Sequence, residues 1–134
     1  CIMASLLKVD ALTGVTTAGS ISVTGEGNST TTNLQQGLTK AWANITQSSS
    51  HTANDSFNVG SLTDNGAGDT SLNFTNSMAN ANFCAASGHM NLGTKIQFHD
   101  SDASSSVKVR NRDMDASGNE DGDEIATQVA GDLA

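Results

Sequence analysis

The sequence predicts an all-β fold, with short antiparallel strands in a sandwich-like domain intertwined as a homotrimer and preceded by an extended N-terminal segment. Three observations predict it. Apolar and polar residues alternate in several short runs, the period of a strand that buries one face. Glycines cut these runs, and no proline interrupts them. Only 36% of the 134 residues are hydrophobic and 4% aromatic, which is little apolar mass for an independent core, so sister subunits are expected to complete it.

Residues 1–33 read as an extended attachment segment. Its one alternating piece, "SISVT", sets Ile21 and Val23 on one side, and Gly14, Gly19, Gly25 and Gly27 break up the rest. Strands this short form no core of their own, so docking on another protein or on sister chains is expected. The apolar run Ile2 to Leu7 is too short to span a membrane, and no longer one follows.

Residues 34–134 read as a β-rich head domain. Asn33 is a candidate N-cap for a short helix over 34–39. "KAWANI" then reads as a strand, with Trp42 at a core or subunit interface. "QSSSHTANDS" reads as a polar loop. In "FNVGSLTDNGAGDTSLNF", Phe57, Val59 and Leu62 precede an Asn-Gly turn, and Leu72 and Phe74 follow it at a spacing of two. Asn-Gly and the following glycine supply the positive φ angles that a hairpin turn needs. "MANANFCAASGHM" and "TKIQFHD" are two further strands, Phe83 sharing a face with Ala85 and Ile96 with Phe98. "SVKVRNRD" alternates Val107 and Val109 with Lys108, Arg110 and Arg112, a solvated basic face paired with nearby carboxylates. "EIATQVAGDLA" fits a strand through Ile125, Thr127 and Val129, or a helix through Ile125, Val129 and Leu133. Of the aromatic residues, Trp42, Phe57, Phe74 and Phe98 are expected to lie partly between subunits.

A net charge of −8 excludes nucleic acid as a main partner, because phosphate binding needs the opposite balance. Cys1 and Cys84 are too few for a disulfide framework and read as free thiols. His51, His89 and His99 are scattered; His99 stands beside Asp100, but as a lone histidine next to acids it reads as solvated. No nucleophile elbow, paired acid motif, Cys-x-x-Cys, phosphate loop or His-Glu-x-x-His occurs, so no enzyme is expected.

One stretch matches a metal motif. In "DMDASGNEDGDE", Asp113, Asp115, Ser117, Gly118 and Glu124 stand at the first, third, fifth, sixth and twelfth places of an EF-hand loop. Its context differs. The preceding residues alternate like a strand, Glu120 fills a place that EF-hands give to an apolar residue, and Gly122 weakens an exit helix by about 1 kcal/mol relative to alanine. The expectation is an exposed, extended, mobile acidic loop. Asp113, Asp115, Ser117, Asp121 and Glu124 are candidates for weak Ca²⁺ binding in the millimolar class.

"LQQGLTKAWANI", "DSFNVGSLTDNGAGDTSLNF" and "MANANF" together resemble a C-terminal module of tail-fibre-like structural proteins of tailed phages, many of them marine. That module runs through a Gly-x-x-Lys-Ala-Trp strand, a Phe-Asn-Val-Ser-Ser-Ile-Thr-Asp-Asn-Gly-x-Gly-Asp hairpin, a Met-x-x-Ala-Asn-Tyr strand and a last strand ending Phe-Gly-Asp. The resemblance covers 34–134 and is most specific in the hairpin. Thr70 and Phe83 stand where the module has Tyr, and Ala130 where it has Phe.

The resemblance implies a virion structural protein, a short trimeric tail or head fibre assembled in the host cytoplasm and engaged in host-surface attachment. Its implied partners are sister chains, other virion proteins through the N-terminal segment, and a host-surface glycan or protein. The resemblance also implies that "EIATQVAGD", 124–132, is a strand, with 113–124 connecting two strands at a hairpin end. Two other readings stay open: a capsid decoration (cement) protein, and an extracellular calcium-dependent adhesin or matrix filament subunit anchored through Cys1. A polysaccharide-cleaving fibre is disfavoured by the lack of paired carboxylates.

Overall fold

A computed structural model describes residues 7–14, 21–24, 30–48, 50–90, 95–115 and 118–134. Cys1, Ser117 and the glycines at 19, 25 and 27 lie outside them. The chain divides into two compact units, Cys1–Gly37 and Leu38–Ala134. In the first, β1 (Ser22–Thr24) pairs antiparallel with β2 (Thr31–Asn33), followed by α1 (Leu34–Gly37). The capping expectation holds at Asn33, whose Oδ1 accepts a hydrogen bond from Gln36 N at 3.1 Å.

The second unit is all antiparallel β. Its strands are β3 (Thr39–Thr46), β4 (Thr52–Phe57), β5 (Val59–Asp64), β6 (Asp69–Phe74), β7 (Cys84–His89), β8 (Lys95–Ala103), β9 (Ser106–Asp113) and β10 (Ile125–Ala130). They form two four-stranded sheets: sheet I, in the order β4-β3-β10-β7, and sheet II, in the order β5-β6-β9-β8. Period-two alternation decides which side of each sheet is buried. Ala41, Ala43 and Ile45 of β3 and Ile125 and Val129 of β10 face Leu72 and Phe74 of β6 and Val107 and Val109 of β9 in one core. Fully burying an aliphatic side chain of this kind contributes about 1.5–3 kcal/mol.

Several expectations are corrected here. Residues 52–56, read as part of a polar loop, belong to β4, and polar pairing sustains it: Asn54 Nδ2 donates to Asn44 Oδ1 and to Thr46 Oγ1. An exposed edge strand can be held by cross-strand amides and hydroxyls, which apolar alternation does not reveal. Phe57, grouped with the hairpin, ends β4 in sheet I, opposite Trp42. Asn58 then turns the chain into sheet II at φ 57°, a left-handed conformation that asparagine tolerates. Its amide holds the corner, with Nδ2 donating to Lys40 O and Asn76 O and Oδ1 accepting from Asn76 N.

The β5–β6 hairpin forms as expected. Gly66 and Gly68 take positive φ, and Gly66 N donates to Asp64 Oδ1 at 2.8 Å. Phe74, expected between subunits, belongs to the intrachain core at 9% exposure, edge-on to Phe83 with ring centroids 5.9 Å apart. The strand expected over 78–90 begins only at Cys84; before it, Met78 is buried and bridges to Leu133. Residues 125–130 form a strand, β10, at the centre of sheet I. The 114–124 segment is therefore a crossover between sheets and not a hairpin end, because β9 pairs with β6 and β8 whereas β10 pairs with β3 and β7.

Candidate functional site

The acidic stretch divides once folded. At its start, Asp113 Oδ1 accepts from Asp115 N, a local turn. At its end, Asp121 Oδ1 accepts from Gly68 N at 2.6 Å, and Glu124 Oε1 accepts from Asn44 Nδ2 at 3.1 Å. The Asp113 carboxylate thus caps the backbone of Asp115, while the carboxylates of Asp121 and Glu124 engage the β5–β6 turn and β3. Ser117 lies outside the described residues. Among the described residues, no group of three or more His, Cys, Asp or Glu is placed to hold a metal ion.

Instead of hanging free, the end of this crossover is tied down. Glu120 N donates to Asn111 O, Asn111 Nδ2 to Glu120 O, Lys95 Nζ to Asp121 O and Gly122 N to Gln47 Oε1. Like-charge repulsion between exposed carboxylates is small in water, and these bonds to buried backbone outweigh it.

Sequence reasoning missed the brace that does part of this tying. The His51 side chain is 2% exposed. Its Nδ1 lies 2.9 Å from Thr70 Oγ1, which accepts from Gln47 Nε2 at 2.8 Å. Its Nε2 lies 3.5 Å from Asp64 and 3.6 Å from Asp121. Thr70 Oγ1 thus joins the Gln47 amide to the imidazole, whose other ring nitrogen faces the two carboxylates. Hydroxyl, imidazole and carboxylate follow the order of a nucleophile–base–acid set. Thr70 is wholly buried, however, so the set braces the hairpin turn against the crossover. No local signal marks it, since Gln47 and His51, Asp64 and Thr70, and Asp121 come from three separate stretches.

His99, read as solvated, turns inward, its Nε2 lying 2.8 Å from Ser87 Oγ, which contacts Thr127 Oγ1 at 2.6 Å. On sheet II, the basic face of β9 pairs in part as expected: Arg110 Nε donates to Asp69 Oδ2 at 3.1 Å. Cys84 is a free, exposed thiol on β7.

The outer face of sheet I is different in kind. Phe57, Trp42, Gln128 and Ala86 stand side by side across β4, β3, β10 and β7. Asp55, Asn44, Ala126 and Gly88 form the next row. Trp42 is 38% and Phe57 54% exposed. Beside Trp42 lies a groove of about 440 Å³ whose lining includes Asn44, Ala86, Gly88, Ala126 and Gln128. Its floor is low because three of its side chains are no larger than a methyl group. This face, assembled from four strands, is the candidate binding surface. Trp42 alone could have been suspected from the sequence. No family model, curated protein or solved structure matches the chain.

Proposed function

We propose that the chain is a virion structural protein, a short trimeric tail or head fibre that attaches to a host surface through the 38–134 sandwich. The observation that carries the reading is the outer face of sheet I, where the single tryptophan and Phe57 are held toward solvent on a rigid sheet. Exposed aromatic side chains clustered on a surface favour a partner. The phage-module resemblance of the "KAWANI" strand and the "TDNGAGD" hairpin supplies the virion setting, and the N-terminal segment is the part assigned to other virion proteins. The trimer is supported by Ile96 and Phe98, both more than a third exposed on β8, an edge strand of sheet II. Neither catalysis nor a cofactor is needed for this role.

Antibody-labelled electron microscopy of intact particles tests the proposal. Label at a tail or fibre tip is the expected result. Label spread evenly over a shell would favour a capsid decoration protein instead, and absence from particles would end the virion reading. Light scattering that finds a stable monomer at micromolar concentration would remove the trimer.

A further inference from the structure

We propose that the groove between Trp42 and Gly88 on the outer face of sheet I binds a neutral sugar ring. The proposal deepens the attachment reading by naming the chemistry of the partner, and it rests on that reading only for the sugar's source.

Gly88 is the first reason. It sits inside β7, paired with Ala126 in a register that runs unbroken from Cys84 to His89. Its φ is not positive, and a Cβ built on it meets nothing within 4 Å among the described residues. Neither backbone conformation nor packing inside the chain demands glycine there. A glycine within a strand that marks neither a bulge nor a bend marks a place where a ligand or another backbone comes close.

The second reason is shape. Ala86, Gly88 and Ala126 leave the sheet surface low, and Trp42 stands beside them as a wall. The resulting 440 Å³ falls within the size of small-ligand pockets. A flat sheet from a second copy would touch Trp42 and leave this hollow unfilled.

The third reason is the polar chemistry at the hollow. Gln128 is exposed, directly beside Trp42 in register, and its amide makes no bond to any described residue. One donor group and one acceptor on a single amide suit a hydroxyl pair. Asn44 is oriented by Glu124 and Asn54, which hold its amide on both sides. Among the described residues no lysine or arginine lines the groove, and two carboxylates stand by its Asn44: Asp55 beside it in register and Glu124 bonded to its amide. A polyanion would be repelled by that set and by the net charge of −8. A pyranose offers what remains, a C–H face for the indole and hydroxyl edges for the Gln128 amide.

Trp42 is the only tryptophan, so its emission reports on the groove directly. The full chain is titrated with maltotriose, mannotriose and triacetylchitotriose, with heparin as the polyanion control. A saturable change in emission with at least one neutral trisaccharide, in the millimolar range or tighter, is expected. Gly88→Leu fills the hollow and should weaken that binding about tenfold or more, one decade of the dissociation constant. Gln128→Ala, on an exposed side chain, should weaken it in the same direction and keeps the test alive if the leucine variant folds poorly. The proposal is overturned if no neutral trisaccharide gives a saturable response, if both variants bind as the parent does, or if heparin alone responds. It is also overturned if Gly88→Leu dissociates an oligomer, because a second copy would then be the occupant. Particle labelling is independent of all these outcomes, so sugar binding by a chain absent from virions would separate the two readings.

Discussion

Over β5, β6 and β9 the outer face of sheet II is a mesh of polar side chains that satisfy one another, while β8 at its edge adds the exposed Ile96 and Phe98. Asn73 Nδ2 donates to Ser61 Oγ and Thr63 Oγ1, Asn65 Nδ2 donates to Ser71 Oγ, and Arg110 reaches Asp69. Across the core, the outer face of sheet I sets Trp42 and Phe57 beside alanines and a glycine and leaves the Gln128 amide toward solvent. Both sheets obey the same alternation on their inner faces. The contrast teaches that burial dictates only half of each strand, and the other half is free to be spent on self-satisfaction or on a partner.

The contrast can be broken hardest from within. Gly68 adopts φ +62°, and a Cβ there would lie 2.5 Å from both Asn111 O and Glu120 O. Gly68→Ala should therefore destabilise by several kcal/mol, about 3 or more, because backbone cannot yield as a side chain tip does. Ile45→Ala, at a wholly buried position of β3, should cost about 2–5 kcal/mol in denaturant unfolding. If both variants unfold at the parent's midpoint, the two sheets do not share the core described.

Asn111→Ala tests the polar tie between sheet II and the crossover. It removes the acceptor of Gln97 Nε2 and the donor to Glu120 O, so a loss of about 1–3 kcal/mol is expected. A change confined to the crossover's hydrogen exchange, without global destabilisation, would show that the tie is local.

On the outer faces the expected effects shrink. Arg110→Ala on sheet II should cost only about 0.2–1 kcal/mol and less at high salt, as its pair with Asp69 is partly exposed. Gln128→Ala on sheet I should stay within about 0.5 kcal/mol of the parent. A larger loss there would mean that this amide is structural and that the two outer faces are alike after all. Smallest of all is the calcium effect: titration should give a constant no tighter than the millimolar class, since the Asp113 carboxylate accepts from Asp115 N while those of Asp121 and Glu124 engage the turn and β3. Submicromolar affinity would require the crossover to rearrange.

Much of the fold was legible in residue order, because strand alternation and turn chemistry act over a few residues. Val107 and Val109 against Lys108 and Arg110 determined the buried side of β9, and Asn65-Gly66 determined the β5–β6 turn. Asn33 determined a helix cap. Period two says which side chains share a face, but it does not say which sheet a strand joins. Tertiary structure alone decided that Phe57 and Val59, two residues apart, lie in opposite sheets across the left-handed Asn58. It alone turned the acidic stretch from a hairpin end into a crossover, and it alone gathered the His51 brace. The groove is the clearest case. Trp42, Gly88, Ala126 and Gln128 lie on three strands far apart in the chain, and only the pairing of β10 with both β3 and β7 makes them neighbours.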